Sequence, residues 1–386
     1  EVLWMKVTCS QEELARSLQI AGRGMSAKST LPILSGMLLE TRGDSLTILS
    51  TDLELGIEIK VPDTIVSVPG KAVIPGKTLI EIVRHLPPGK VEMSLNEEKG
   101  TFSIVSSSSS FQLHTLPVEE FPTLSESFRD LSQYVNEVND SKKTLRGGSV
   151  LASDFKEAVR QCVYATSPED PRPFLSSVLM EMGEERLRMV ATDINRLVIR
   201  DISYSREGEV EEKILVPVRA LKEVANIFGG DPEENIDITI EDRQLFFLGK
   251  GLIFSTRLVD AQFPRYEQVI PSEFVGTMQV NRLLLLEALE RTSLVDNVVK
   301  LNLKKDVVEV SSNEPDLGNA YEEVACSFSG KEMQIGFNAR FLMDFLRTVD
   351  KEEIIIKISG NMKASLMQGM GSENYRYVVM PMRLNV

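Results

Sequence analysis

Along the chain, short runs in which apolar and polar residues alternate give way to stretches with an apolar residue every three or four positions, and the cycle then recurs. Met5-Lys6-Val7-Thr8-Cys9 alternates like a half-buried strand and stops at Ser10, which with Glu13 forms the S-x-x-E box that caps a helix N-terminus. Leu14, Leu18 and Ala21 then share one helical face. The same hand-over occurs at Ser149–Ala152 into Ser153, followed by Phe155, Val159, Cys162 and Val163. It occurs again at Thr277–Val280 into Asn281, followed by Leu284, Leu285, Ala288 and Leu289. Alternating strands come next, at Gly36–Glu40, Ser177–Met182 and Lys300–Leu303, and each cycle holds a second helix. The pattern predicts helices over Gln11–Ala21, Lys77–Leu86, Asp154–Ala165, Val218–Phe228, Arg282–Thr292 and Asn338–Val349.

Particular phrases recur at fixed offsets. Ile74-Pro75-Gly76-Lys77-Thr78-Leu79-Ile80-Glu81 is echoed by Val216-Pro217-Val218-Arg219-Ala220-Leu221-Lys222-Glu223 and by Phe337-Asn338-Ala339-Arg340-Phe341-Leu342-Met343-Asp344. In each, an apolar step leads into a helix that opens with a basic residue and carries an acid four positions on. Lys77 and Arg219 are 142 residues apart, and Arg219 and Arg340 are 121 apart. Ser50-Thr51-Asp52-Leu53 returns as Ala191-Thr192-Asp193-Ile194 after 141 residues, and Leu116–Pro122 returns as Leu258–Pro264 after 142. Several phrases at one offset mark repeated domains. The expected fold is α+β, with three repeated units, each of two helices packed on antiparallel sheet. Their expected bounds are 1–124, 144–270 and 271–386, with the polar stretch 125–143 as a linker. The Thr51-Asp52 and Thr192-Asp193 pairs read as turns whose side chains bond nearby backbone amides, and Ser106–Ser110 as a solvated strand or hairpin.

Composition narrows the function. With 42% hydrophobic residues in 386, each unit has enough for a core. No apolar run reaches the ~20 residues of a membrane span and the first residues lack a signal-peptide layout, so a soluble intracellular protein is expected. Cys9, Cys162 and Cys326 fall one per unit without a CxxC spacing and read as buried free thiols, not a disulfide frame or a zinc site. His85 and His114 have no counterparts in the other units and read as structural. Phosphate-loop, dinucleotide, nucleophile-elbow and zinc-protease motifs are absent from the sequence, so no catalytic residues, metal or cofactor are expected. The net charge of −14 speaks against a nucleic-acid partner until its distribution is considered. The predicted helices together carry +2 and the remainder −16. That division suits a protein that holds DNA against its helices and repels it elsewhere, although i,i+4 pairs such as Lys77/Glu81 on solvated faces explain part of it. An acidic three-domain scaffold that binds only proteins, and an enzyme with its site between repeats, are the alternatives.

Three landmarks carry a family resemblance: Thr30-Leu31-Pro32-Ile33-Leu34 near the start, Ala191-Thr192-Asp193 with Arg196-Leu197 in the middle, and the ending Tyr377-Val378-Val379-Met380-Pro381-Met382-Arg383-Leu384. In this order the chain resembles, over nearly its whole length, the bacterial DNA polymerase III β subunits, the sliding-clamp family. The resemblance implies a DNA-encircling processivity factor without enzymatic activity, in the cytoplasm on the nucleoid. Three clamp domains per protomer would close head to tail with a second copy into a homodimeric ring, helices facing the hole. By matching motif it also implies a peptide-binding cleft between the second and third domains, made by Leu175, Thr192, Arg196, Leu197, Pro264, Val269, Asn338, Phe341, Met362, Val379, Met380, Pro381, Met382 and Arg383. There the polymerase III catalytic subunit, the clamp loader, and repair and translesion polymerases would dock a short motif. Phe111, with Leu294 and Val298 in the Leu294 to Val299 region, would face each other across the dimer contact. Taken with the helix charges, the residues expected to meet phosphates of duplex DNA, independent of its sequence, are Arg16, Arg23, Lys77, Arg84, Arg160, Arg219, Lys222, Arg282, Arg291, Arg340 and Arg347. The chain departs from the family pattern at Ile194-Asn195, where Gly-His is common, at Gln268 for Arg, and at Phe341 for Tyr.

Overall fold

The computed structural model describes residues 5–26, 31–122, 125–137, 147–206, 212–228, 230, 233–249 and 251–384. Thr30 and residues 138–143 of the expected linker lie outside them. The helix pattern is realised closely. Gln11–Ala21 and Arg282–Thr292 have the expected bounds, Val218–Ile227 ends one residue early, Gly76–His85 and Ala339–Thr348 each differ by a residue at both ends, and the helix expected over Asp154–Ala165 runs from Ala152 to Cys162. Capping sets several starts: Ser10 Oγ accepts from the Glu13 amide at 3.2 Å, and Asn281 Oδ1 accepts from Leu283 and Leu284 at 3.0 and 3.2 Å. Ser153 is not such a cap. The helix begins at Ala152 and runs to Cys162, so Ser153 sits in its first turn.

Contacts within the chain define two compact units, Glu1–Ala152 with Glu223–Leu258, and Ser153–Lys222 with Val259–Val386. The first unit contains an antiparallel sheet in the order Ile65–Val68, Met5–Ser10, Lys90–Asn96, Thr101–Ser106, Ser109–His114. Period-two burial of Met5, Val7 and Cys9 shows which face of that sheet is core. A second antiparallel sheet runs Gly147–Leu151, Asn235–Glu241, Gln244–Gly249, Leu252–Arg257, Leu55–Val61, Ser45–Thr51, Gly36–Arg42, Lys71–Pro75. Helices Gln11–Ala21 and Gly76–His85 pack on each other.

The second unit is organised around a 12-stranded sheet. Its order is Glu212–Pro217, Ser177–Met182, Arg186–Thr192, Arg196–Ser203, Tyr375–Val379, Ser365–Gly369, Glu353–Ile358, Gly276–Asn281, Gly318–Gly330, Val307–Glu314, Val298–Leu303, Met333–Asn338. Helices Arg282–Thr292 and Ala339–Thr348 pack together, the latter burying Ala339, Leu342, Phe345 and Leu346 at helical spacing. Gly336 is needed in its strand because the tail crosses it closely. A Cβ there would lie 2.7 Å from the Met382 carbonyl oxygen and 2.8 Å from Leu384 Cδ2.

The strand junction between repeats has one register, used twice. In the first unit Leu55–Val61 pairs antiparallel with Leu252–Arg257, setting Gly56 opposite Ser255 and Glu58 opposite Ile253. In the second, Arg196–Ser203 pairs with Tyr375–Val379, setting Leu197 opposite Val378 and Ile199 opposite Arg376. Gly56 and Leu197, like Glu58 and Ile199, are 141 residues apart.

The stretch 125–143, expected as a linker, holds regular structure. Glu126–Glu137 is an α-helix capped at its start by Ser125, whose Oγ accepts from the Phe128 amide at 3.2 Å. Phe128 and Leu131, three residues apart, are buried against Phe121, Phe246, Leu248 and Ile253. The polar composition of the stretch concealed an amphipathic helix whose apolar stripe is narrow. Of the thiols, Cys9 and Cys162 are buried and Cys326 is only half-buried; burial pushes the Cys9 thiol up to about 12. Among the described residues, no helix is long and apolar enough to cross a membrane.

Candidate functional site

The turn after Arg186–Thr192 begins the site. Thr192 Oγ1 accepts from the Ile194 amide at 3.1 Å and donates to the Arg196 carbonyl at 2.7 Å, while Asp193 Oδ1 accepts from the amides of Asn195 and Arg196, each at 3.1 Å. Thr51 and Asp52 make the same bonds to Leu53, Glu54 and Leu55, so both pairs are turn formers, as their chemistry suggested. The turn places Ile194 at φ 80° and 55% exposed, its side chain on the rim of a groove of about 310 Å³.

The groove floor is the cross-strand pair Leu197 and Val378. One wall is Phe174 with Arg172, a second is Pro264, Tyr266 and Val269, and the turn residues Thr192 and Asn195 with Met380 close the end. Apolar atoms therefore dominate the base, with backbone and arginine groups at the edge. Phe174 and Phe263 meet edge to face at 6.1 Å, and Tyr266 donates to Glu181 at 2.9 Å, which fixes these walls from behind. Met380 is held through its main chain, its amide donating to the Asn195 carbonyl at 2.8 Å, and its side chain stays free to adapt.

Arg196, in the groove lining, is a lock rather than a loose arm. Its guanidinium donates to Asp193 at 2.8 Å, Asp344 at 2.6 Å and the Tyr164 carbonyl at 2.6 Å, and its plane lies 4.5 Å from the Phe341 ring centroid. Burial disfavours its charge; contacts with Tyr377, Asp344 and Asp193 more than offset that, so its pKa moves up and it stays cationic.

Of the residues expected in a cleft, Thr192, Arg196, Leu197, Pro264, Val269 and Met380 line this groove. The others do not. Leu175 and Val379 are wholly buried, Asn338 spends its side chain capping Ala339–Thr348, and Phe341 lies under Arg196. Met362 and Met382 are exposed outside the lining, as is Arg383, and Pro381 is half-buried there. Met382 bonds the strand at Gly336 through its amide, 2.8 Å from the carbonyl oxygen. Sequence reasoning missed Phe174, Tyr266, Val378 and Arg172 as lining residues. Alternation along Tyr375–Val379 was the available signal, and it points only to Val378.

The helix-borne cations divide into two groups. Arg16, Lys77, Lys222 and Arg340 are exposed and make no ion pair among the described residues; Arg219 is exposed too. Arg23 pairs with Glu223, Arg84 with Glu81, Arg160 with Glu157, Arg291 with Glu322 and Arg347 with Glu290, at 2.5–2.9 Å, while Arg282 donates to the Leu346 carbonyl at 3.0 Å. Phe111 stands exposed on Ser109–His114, the edge strand of its sheet; Leu294 is 82% exposed and Val298 half-buried.

Comparison with known proteins decides the family. Models of the N-terminal, central and C-terminal domains of the DNA polymerase III beta subunit match residues 5–125, 149–265 and 267–383, in that order. The chain belongs to the DNA polymerase III beta subunit family. A beta sliding clamp of Pseudomonas putida is 29% identical over 385 residues, covering 98% of this chain and 100% of that one. One of Staphylococcus aureus is 29% identical over 392 residues, covering 98% and 99%. The crystal structure of the Bacillus subtilis DNA polymerase sliding clamp superposes with a TM-score of 0.90 at 26% identity, covering 99% of this chain and 100% of that one. The Pseudomonas aeruginosa clamp, solved bound to griselimycin, gives 0.88 at 27%, covering 98% and 100%. Three clamp domains of antiparallel sheet with few helices are thus shared with the family's solved members.

Proposed function

We propose that this chain is a non-enzymatic sliding clamp that encircles duplex DNA and tethers replicative and repair polymerases and the clamp loader to it through the groove around Leu197 and Val378. The observation that carries the reading is the ordered match of all three domain models along one chain that also has an open apolar groove at the second strand junction. An adaptable floor with hydrogen-bonding edges suits a short extended peptide with apolar anchors.

Ring closure follows from the repeated register. The first two repeats each pair the strand after their first hairpin with the last strand of the following repeat. In the third repeat the corresponding strand, Gly318–Gly330, leaves the stretch 318–325 bonded on one side to Val307–Glu314, and Ser109–His114 is an edge of its own sheet. Unpaired edges of this kind invite a strand from another chain. A second copy would satisfy both at once, head to tail, with Phe111 and Leu294 near the contact. Arg16, Lys77, Arg219, Lys222 and Arg340 are exposed cations able to meet phosphates, and Arg84 and Arg347 could exchange their exposed partner carboxylates for phosphate at little cost. Action in the cytoplasm on the nucleoid goes with that role.

The test is topological. Loaded protein should be retained on closed circular plasmid and lost after linearisation, and light scattering at micromolar concentration should give a dimer. Equal loss from circular and linear DNA would replace the clamp by the protein-only scaffold. Changing Lys77, Arg219 and Arg340 together to Glu should weaken retention and flatten its salt dependence.

A further inference from the structure

At the first strand junction the position that matches the groove is occupied by the chain itself. The floor pair there is Gly56 with Ser255, where the groove has Leu197 with Val378. Over this pair sits the Phe128 ring: a Cβ added to Gly56 would come 3.4 Å from Phe128 Cε2 and 2.7 Å from Ser255 Oγ. Phe128 meets Phe246 edge to face at 6.0 Å, and Leu131, one turn on, completes the apolar contact with Phe121, Leu248 and Ile253. Polar latches match. Ser127 donates to Asp242 at 2.7 Å. Ser132 lies between Arg42 and the buried carboxylate of Glu58, to which Arg42 also donates at 3.0 Å. Glu58 holds the repeat position of Ile199, so the latch is absent from the second junction by sequence.

We infer that Glu126–Glu137 is a resident occupant, in cis, of a second docking groove. The first junction is a site for an amphipathic helix carrying an aromatic residue and a leucine three positions later, and this chain supplies that helix itself. Of the two floor pairs, Leu197 with Val378 is then the one left uncovered by a helix of this chain. The comparison rests on reading that groove as a peptide site, but the occupancy of the first junction does not depend on it.

The experiment uses the full chain and two labelled peptides: the chain's own residues 125–137, and an extended Gln-Leu-x-Leu-Phe peptide. Wild type should bind the extended peptide once per chain and the 125–137 peptide not at all. Phe128→Ala with Leu131→Ala should leave the extended-peptide site intact and create one site for the 125–137 peptide, at least tenfold weaker for a version of that peptide with the same two alanines. An undocked helix, seen as fast amide exchange over 126–137, together with no binding of the 125–137 peptide would overturn the inference. Should that variant fail to fold, Leu131→Ala alone weakens the same apolar contact and is read in the same way. Absence of extended-peptide binding to wild type would sink the groove reading alone, since the 125–137 arm reports only on the first junction.

Discussion

In the first junction Gly56 faces Ser255 and an aromatic ring fills the space above them; in the second Leu197 faces Val378 and the space above is an open groove of about 310 Å³. Backbone pairing is the same in both, so register is a property of the repeat. Occupancy depends on a few side chains. A glycine opposite a serine leaves a hole that only an added ring can fill at interior density, whereas a leucine opposite a valine already forms a floor. Glu58 and Ile199 extend the contrast. A buried carboxylate must be given partners, and Arg42 and Ser132 provide them at one oxygen, Oε1, while Oε2 makes no hydrogen bond; Ile199 asks for none. Divergence at these positions turned one copy of the junction into core and left the other as surface.

The largest expected effect separates the two as core and surface. Phe128→Ala should cost about 3–5 kcal/mol in urea unfolding, because it empties a packed position. Phe174→Ala, half-exposed on the groove wall, should change stability far less and instead weaken the extended peptide. Equal stability losses would mean that the groove wall is as much a part of the core as the first junction. Next in size is the tail. Removing Met380 to Val386 should abolish peptide binding while leaving the dimer in sizing experiments; within it, Met380→Ala should cost about 1–3 kcal/mol of binding and Met382→Ala less, since only Met380 lines the groove. A larger loss from Met382 would place the peptide along Gly336. Ser132→Ala should follow, at about 1–2 kcal/mol of stability, by removing one donor to the buried Glu58 carboxylate. Calorimetry of the Ser132→Ala protein checks it, and the outcome that fails is an unchanged Tm.

Much of this was legible in the sequence. Helix bounds follow from strong periodicity and side-chain caps, and the Thr-Asp turns from side chains that bond their own backbone. Thr192, Arg196, Leu197, Pro264, Val269 and Met380 were recognisable because they belong to contiguous motifs. The helix at Glu126–Glu137 was not, since its apolar stripe has little more than Phe128, Leu131 and Val135 amid polar residues, and its stability comes from tertiary packing that no local pattern reports. Tyr266 and Phe174 were missed for a related reason. They reach the groove by folding over from segments far apart in the chain, and adjacency of that kind is set by the sheet order. Leu175 and Val379 illustrate the converse: each neighbours a lining residue in sequence, and strand alternation or a tight turn directs it inward instead.

The smallest effect tests the turns that both junctions share. Leu53 and Ile194 have φ of 77° and 80°, a left-handed conformation that costs an L-residue about 1–2 kcal/mol and is least suited to a β-branched side chain. The side-chain bonds of the Thr-Asp pair hold each in place. Glycine removes that strain but adds about 0.5–1 kcal/mol of backbone entropy to be lost on folding, so Ile194→Gly should stabilise by no more than about 1 kcal/mol. Leu53→Gly should gain a similar or slightly smaller amount, because leucine is not branched at Cβ. The two differ in what surrounds them. Ile194 forms part of the open groove rim, so its replacement should also weaken the extended peptide, by less than tenfold, while Leu53→Gly should leave that affinity unchanged. Differential scanning calorimetry and anisotropy on the two variants read both effects. A fall in Tm for Ile194→Gly would show that its side chain contributes packing that outweighs the backbone strain. Equal peptide affinities for the two variants would remove Ile194 from the rim.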